Sequence, residues 1–312
     1  MISKLTPLLA GISAFLATNA TTFAQDPRAD DAGITLINIG ETLAPVSSFQ
    51  APTYEAEVAS KKRLGAPKIG ESTAEFNISQ AASVLEWLSS SWSGGSAATD
   101  VSVHLADNDY NIKRGIDMRS SILTAIEWPI LKASDVKTFD VTARWQPQQI
   151  KYVAGGGKAQ GQMGKGIGEI LPSNFYVSMP QIPDEVIVSI TLPKITPKIH
   201  KESHGRMANQ PPVYDKPDLG PLLIEVSSAG YKTAEDLAVR IIQDGNCEEA
   251  EFMDIVIDMK DPSLKRTLGT FTLTGCALKK FSWGKLEGGK EGLATSTLEF
   301  VVEDFRFNVP HK

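Results

Sequence analysis

Apolar and polar positions alternate with a period of two over most of this chain, the signature of strands with one face inside and one outside. In the first half the pattern predicts strands over residues 33–39, 73–78, 101–105, 116–126 and 136–152. In the second half it predicts strands over 174–179, 186–192, 222–227, 252–259, 268–278 and 295–309. The last run sets Leu298, Phe300, Val302 and Asp304 on one side and Glu299, Val301, Glu303 and Phe305 on the other. Neither side is polar for long, which suits a strand covered by its own core on one face and by a neighbouring subunit on the other.

The period changes to three and four in two places. Ala82, Leu85, Trp87 and Leu88 predict a helix over 79–91 with Ser79 as its cap. Ala234, Leu237, Ala238, Ile241 and Ile242 predict a second, capped by Thr233 with Asp236 three residues on and stopped by Gly245-Asn246. Residues 51–67, carrying Lys61-Lys62-Arg63, and the proline-, lysine- and histidine-rich 193–221 read as long loops.

The two halves repeat one another. Asp100-Val-Ser-Val-His-Leu-Ala-Asp107 recurs in type as Asp254-Ile-Val-Ile-Asp-Met-Lys-Asp261, Lys113-Arg114 as Lys265-Arg266, and Ile150-Lys-Tyr152 as Phe305-Arg-Phe307. The offsets are 154, 152 and 155 residues. A period this long is a domain, since solenoid units run to about 20–50 residues. Between the copies lies a glycine-rich tract, 154–168, which reads as a linker.

Residues 1–24 have the layout of a secretory signal peptide: a basic start at Lys4, an apolar stretch, and a small polar run ending at Ala24 before Gln25. The apolar stretch is shorter than the ~20 residues that span a bilayer, and no later segment qualifies. The expected organisation is therefore a signal peptide (1–24), a first domain (25–153), the linker (154–168) and a second domain (169–312). The expected location is extracellular or periplasmic. Without the leader, 30 basic residues face 37 acidic ones, with no basic tract. That balance argues against a nucleic-acid groove.

Motifs for chemistry fail one by one. Gly164-Lys165 is followed by Gly166 where a P-loop needs serine or threonine. His200 and His204 are four apart, but Lys201 stands where a zincin has its glutamate. No Gly-x-Ser-x-Gly elbow exists. Neither a catalytic site nor a bound cofactor or metal is expected. Cys247 and Cys276 can close a loop of about 30 residues in an oxidising compartment or stand as two separate buried thiols.

The run Thr270-Phe-Thr-Leu-Thr-Gly-Cys-Ala-Leu-Lys-Lys-Phe281, with Gly292-Leu-Ala-Thr-Ser-Thr-Leu-Glu-Phe-Val-Val-Glu303 and Phe305 after it, resembles the end of the tail-tube proteins of contractile phage tails and related injection systems. The likeness covers nearly all of 170–310 and, more faintly, 33–153. It implies a mainly β (α+β) chain with short flanking helices, built as two tandem antiparallel β-sandwich domains whose sheets join between subunits into a barrel around a lumen. Rings of about six such domains would need three two-domain chains, the competing arrangement being six chains in a double layer. The long loops would then make the ring-to-ring contacts, with Lys61, Lys62, Arg63, Lys198, Lys201 and Arg206 as candidates. Two features depart from the family: an exported tube subunit is unusual, and tandem fusion is more like the hub proteins that cap tubes. The resulting expectation is an exported, non-enzymatic protein that assembles with itself into rings stacked as a hollow tube or filament. The alternative is an exported carbohydrate- or surface-binding adhesion module using tryptophans such as Trp92 and Trp283.

Overall fold

The alternating runs fold into β-strands that pair in one repeated scheme. The computed structural model describes residues 33–40, 42–60, 63–80, 82–90, 96–135, 137–159, 162–163, 168–200, 213–245, 252–284 and 295–308. The first half carries β1 (Ile34–Ile39), β2 (Thr42–Pro45), β3 (Ser48–Gln50), β4 (Tyr54–Ser60), β5 (Arg63–Ile69), β6 (Ser72–Asn77), α1 (Ala82–Ser90), β7 (Thr99–Ala106), β8 (Ile112–Glu127), β9 (Leu131–Lys132), β10 (Asp140–Gln146), β11 (Gln149–Ala154) and β12 (Gln162–Met163). The second carries β13 (Phe175–Ser178), β14 (Ile187–Thr191), β15 (Ile195–His200), β16 (Val213–Leu219), β17 (Leu222–Ser227), α2 (Tyr231–Ala238), β18 (Met253–Lys260), β19 (Thr267–Trp283), β20 (Thr295–Val301) and β21 (Asp304–Asn308).

In the first half the antiparallel pairs are β1–β7, β7–β8, β8–β11, β8–β10, β10–β6 and β6–β3. In the second they are β13–β18, β18–β19, β19–β21, β19–β20, β20–β17 and β17–β14. A hairpin precedes the β6 or β17 strand in each, β4–β5 and β15–β16. The fold is mainly β with short helices, and each half is built around one long strand.

Those long strands turn a corner. β8 pairs with β7 and β11 up to Ser121 and with β10 from Ile122; β19 pairs with β18 and β21 up to Cys276 and with β20 from Ala277. A strand that switches sheets in this way does so at a bend or bulge. The bend is Ser120 (φ 49°) in one and Gly275 (φ 63°) in the other. Each is pinned identically: Ser120 N–H donates to Asp100 Oδ1 at 2.9 Å, and Gly275 N–H to Asp254 Oδ1 at 3.2 Å. The buried layer behind holds Trp145, Phe76 and Phe139 from the first half and Phe271, Phe300 and Phe305 from the second, in one continuous cluster.

Several boundaries differ from the sequence pattern, each for a local reason. The two long loops are hairpins; Pro67, Pro197 and Pro217 and the bulges in both ladders interrupt the alternation that marks strands. The run 136–152 is two strands, broken at Pro147, and 295–309 is two strands, broken after Val301. That second break returns Phe305 to the buried side with Phe300 and Val302, so the final run has one consistent inner face. Thr233 is not a cap: α2 starts at Tyr231 after Gly230, with no side-chain capping bond. A π-turn over Val239–Gln243 then extends the helix and leaves Ile242 exposed. Ser79 lies in a 3-10 turn ahead of α1, where its hydroxyl accepts the Ile170 N–H at 3.0 Å, and the Asn77 side chain accepts Ser79's own N–H. Part of the glycine tract runs along the first half: Gly156 N–H donates to the Ile112 carbonyl, and β12 adds a parallel strand to β2.

Candidate functional site

The halves exchange strands, so their junction is built like the inside of a domain. β15 of the second half pairs with β8 of the first, Ile195 opposite Ile126, and β9 of the first pairs with β14 of the second, Leu131 opposite Ile190. All four side chains are fully buried. Leu123 N–H donates to the Tyr214 phenol at 2.9 Å, and burial pushes that phenol up to about 12. Just past the end of β8, Trp128 of the first half enters an aromatic cage of the second. Its ring lies 5.1 Å edge-on from Phe271, 5.6 Å from Phe305 and 5.7 Å from Phe307. Phe139 extends the cage by stacking on Phe271 at 6.2 Å. Pairs in these geometries add about 0.5–1.5 kcal/mol each beyond the area they bury.

One charge tie rims this apolar seam. Lys194 Nζ of the second half sits 2.6 Å from Glu127 Oε1 of the first, with Arg144 at 3.3 Å. The Lys194 hydrogen bond, then the attraction of Lys194 and Arg144, holds the Glu127 carboxyl below the ordinary glutamate range against the opposing effect of partial burial. A carboxylate lowered in the folded state stabilises it above the unfolded value, ~4.3, and loses that contribution as pH falls through its own lower value. Glu127→Gln is therefore expected to lower the melting temperature at pH 7 and to make the acid side of the stability profile shallower, as read by thermal melts from pH 3 to 7.

The sequence-predicted residues fall elsewhere. Lys198 is exposed on β15 and pairs with Asp218 at 2.6 Å; Arg63 opens β5. Ala24, Gln25, Lys61, Lys62, Lys201 and Arg206 lie outside the described residues, as do Trp92 and Cys247. Cys276 is a buried free thiol directed at the Leu273 carbonyl, and Ser121 makes the matching contact to Met118 in the first half. Burial, reinforced by the charge of Asp254, pushes the thiol up to about 12. In a Cys247→Ser background, a thiol dye is expected to label the native protein slowly and the guanidinium-unfolded protein at once. Among the described residues no group of three or more His, Cys, Asp or Glu side chains is placed to hold a metal. Nor is any described helix long and apolar enough to cross a membrane.

What remains are surfaces. Tyr54, Tyr152 and Trp283 are 60%, 68% and 58% exposed. A cavity of about 590 Å³ opens beside Tyr54, Ile69, Gln146 and Ile150. Trp283 stacks on Tyr231 of its own chain at 5.7 Å.

Several solved structures each match less than half of this chain. The tube-terminating cap of the anti-feeding prophage is 11% identical over 45% of this chain and 91% of that one, with a TM-score of 0.36. The sheath–tube complex of an extracellular contractile injection system, PVC, in its extended state is 13% identical over 45% and 92%, also at 0.36. Hcp1 from Flavobacterium johnsoniae is 14% identical over 41% and 98%, at 0.31. No protein-family model and no curated protein matches the chain.

Most of the residues that tie the halves together are apolar and aromatic, whereas the sequence pattern points to lysines in the predicted loops. A usable signal was present: Trp128 and Trp283 stand 155 apart, the same offset as Ile150 and Phe305.

Proposed function

We propose that this chain is an exported structural protein, a tandem duplication of one β module, that assembles head to tail into rings stacked as a hollow tube. The observation carrying this reading is the junction between the halves. It is a module-to-module interface made by strand pairing and a buried aromatic cage, and among the described residues it leaves matching elements of each half exposed. The repeated pairing scheme supports duplication, and the layout of residues 1–24 supports export. Six modules per ring, the number suggested by the resemblance to tail-tube proteins, correspond to three chains. The hairpins, with the exposed Lys198, are the candidates for contacts between rings. No enzymatic role is assigned.

Negative-stain microscopy of the protein purified without residues 1–24 tests this directly. Uniform rings or tubes are expected; a protein that stays monomeric at high concentration removes the reading. Adhesion to glycans is the second reading, favoured by the exposed Trp283 ring stacked on Tyr231; Trp283→Ala should abolish retention on a glycan array, and unchanged retention ends it.

A further inference from the structure

Strand registers put the two halves into residue-by-residue correspondence. Ile126 faces Ala143 as Phe281 faces Leu298, and Leu123 faces Trp145 as Leu278 faces Phe300, with one bulged residue between in both strands. Trp128 thus corresponds to Trp283. Likewise Ile150 and Tyr152 occupy the positions of Phe305 and Phe307. Tyr54 pairs with Ile69 just before Gly70, as Ile195 pairs with Leu219 just before Gly220, so Tyr54 corresponds to Ile195.

Within the chain, Ile126 pairs with Ile195 and Trp128 lies against Phe305 and Phe307. Among the described residues of one molecule the corresponding side chains meet nothing comparable. Trp283, Tyr54 and Tyr152 are exposed, and the cavity bordered by Tyr54 and Ile150 lies where the other half receives its tryptophan. The β4–β5 hairpin is a separate two-stranded sheet, while its counterpart is joined to β8. A two-stranded hairpin is marginal alone. From Ala277 to Trp283, only β20 pairs with β19 among the described residues.

We propose that the end of β19 in one copy docks into this cleft of the next copy. Phe281 pairs alongside Tyr54 as Ile126 does alongside Ile195, and Trp283 enters against Ile150 and Tyr152. This rests on the self-assembly reading and specifies its interface. The two surfaces differ, so the contact is heterologous and propagates head to tail from copy to copy. It is also the weaker copy of the internal junction. Ser282 and Thr53 stand where Glu127 and Lys194 form their ion pair, Leu64 replaces Tyr214, and Ile150 and Tyr152 replace two phenylalanines. Assemblies therefore come apart into intact chains, leaving the halves joined.

The test uses Thr53→Cys with Ser282→Cys in a Cys247→Ser, Cys276→Ser background, the last change copying Ser121. Residues opposed across an antiparallel pair have Cα atoms about 4.5–5.5 Å apart, within disulfide range. Under oxidation the double variant should give a ladder of multimers on a non-reducing gel, and each single variant nothing beyond a dimer. Thr53→Lys with Ser282→Glu should tighten association by about 2–5-fold, the range of an exposed ion pair. Rings by microscopy with no ladder would overturn this interface while leaving self-assembly standing. No rings and no ladder would overturn both.

Discussion

Replacing Trp128 with alanine is expected to destabilise the protein by about 3–5 kcal/mol, the range for removing a large buried aromatic side chain. For a domain of this size that lowers the melting temperature by roughly 10 °C. The indole is 8% exposed and touches three phenylalanines of the other half, so its loss opens a cavity at the junction itself. Limited proteolysis should then cut within 154–168 faster than in the parent protein. Trp128→Phe is expected to cost much less, because it keeps a ring in the cage and discards a buried indole N–H that finds no partner among the described residues. Equal losses for the two variants would mean that the cage is not what joins the halves.

The second large effect is expected at the corner of β19. Gly275 has φ 63°, and a Cβ there would lie 2.7 Å from the Glu303 Cβ. Glu303 cannot retreat freely, since its own N–H donates to the Thr274 carbonyl. Left-handed backbone costs an ordinary residue about 1–2 kcal/mol and overpacking about 1–3, so Gly275→Ala should lose about 2–4 kcal/mol. Ser120 occupies the same corner in the first half at φ 49°. Ser120→Gly relieves strain there and should be neutral or stabilising by up to about 1 kcal/mol. Chemical denaturation of both variants checks the pair; opposite signs are expected, and equal destabilisation would contradict the equivalence of the two corners.

Much of this architecture was legible in the chain because alternation is strongest where one face is buried. For that reason the alternation predicts the strands around Val101, Leu222, Phe271 and Phe300. The hairpins were hidden because Pro67, Pro197 and Pro217 lie within them and bulges shift their phase, so local composition looked like loop. Helix caps were misplaced because packing set the entry points: Ser79 is engaged by Ile170, and Gly230 precedes α2 where Thr233 had the better capping chemistry. The junction was the least visible part. Lysines in the predicted loops stand out on charge alone, whereas Trp128, Phe305 and Phe307 come together only in the folded chain. Trp283 stands in the second half where Trp128 stands in the first, yet it is exposed where Trp128 is buried.

On the proposed reading each chain is two equivalent modules with complementary surfaces left open. Two-dimensional class averages from cryo-electron microscopy, combined with native mass spectrometry of the same sample, test it most directly. Closed rings of six evenly spaced lobes with the mass of three chains are predicted. Compact monomers at every concentration, or face-to-face dimers related by a two-fold axis, would contradict it.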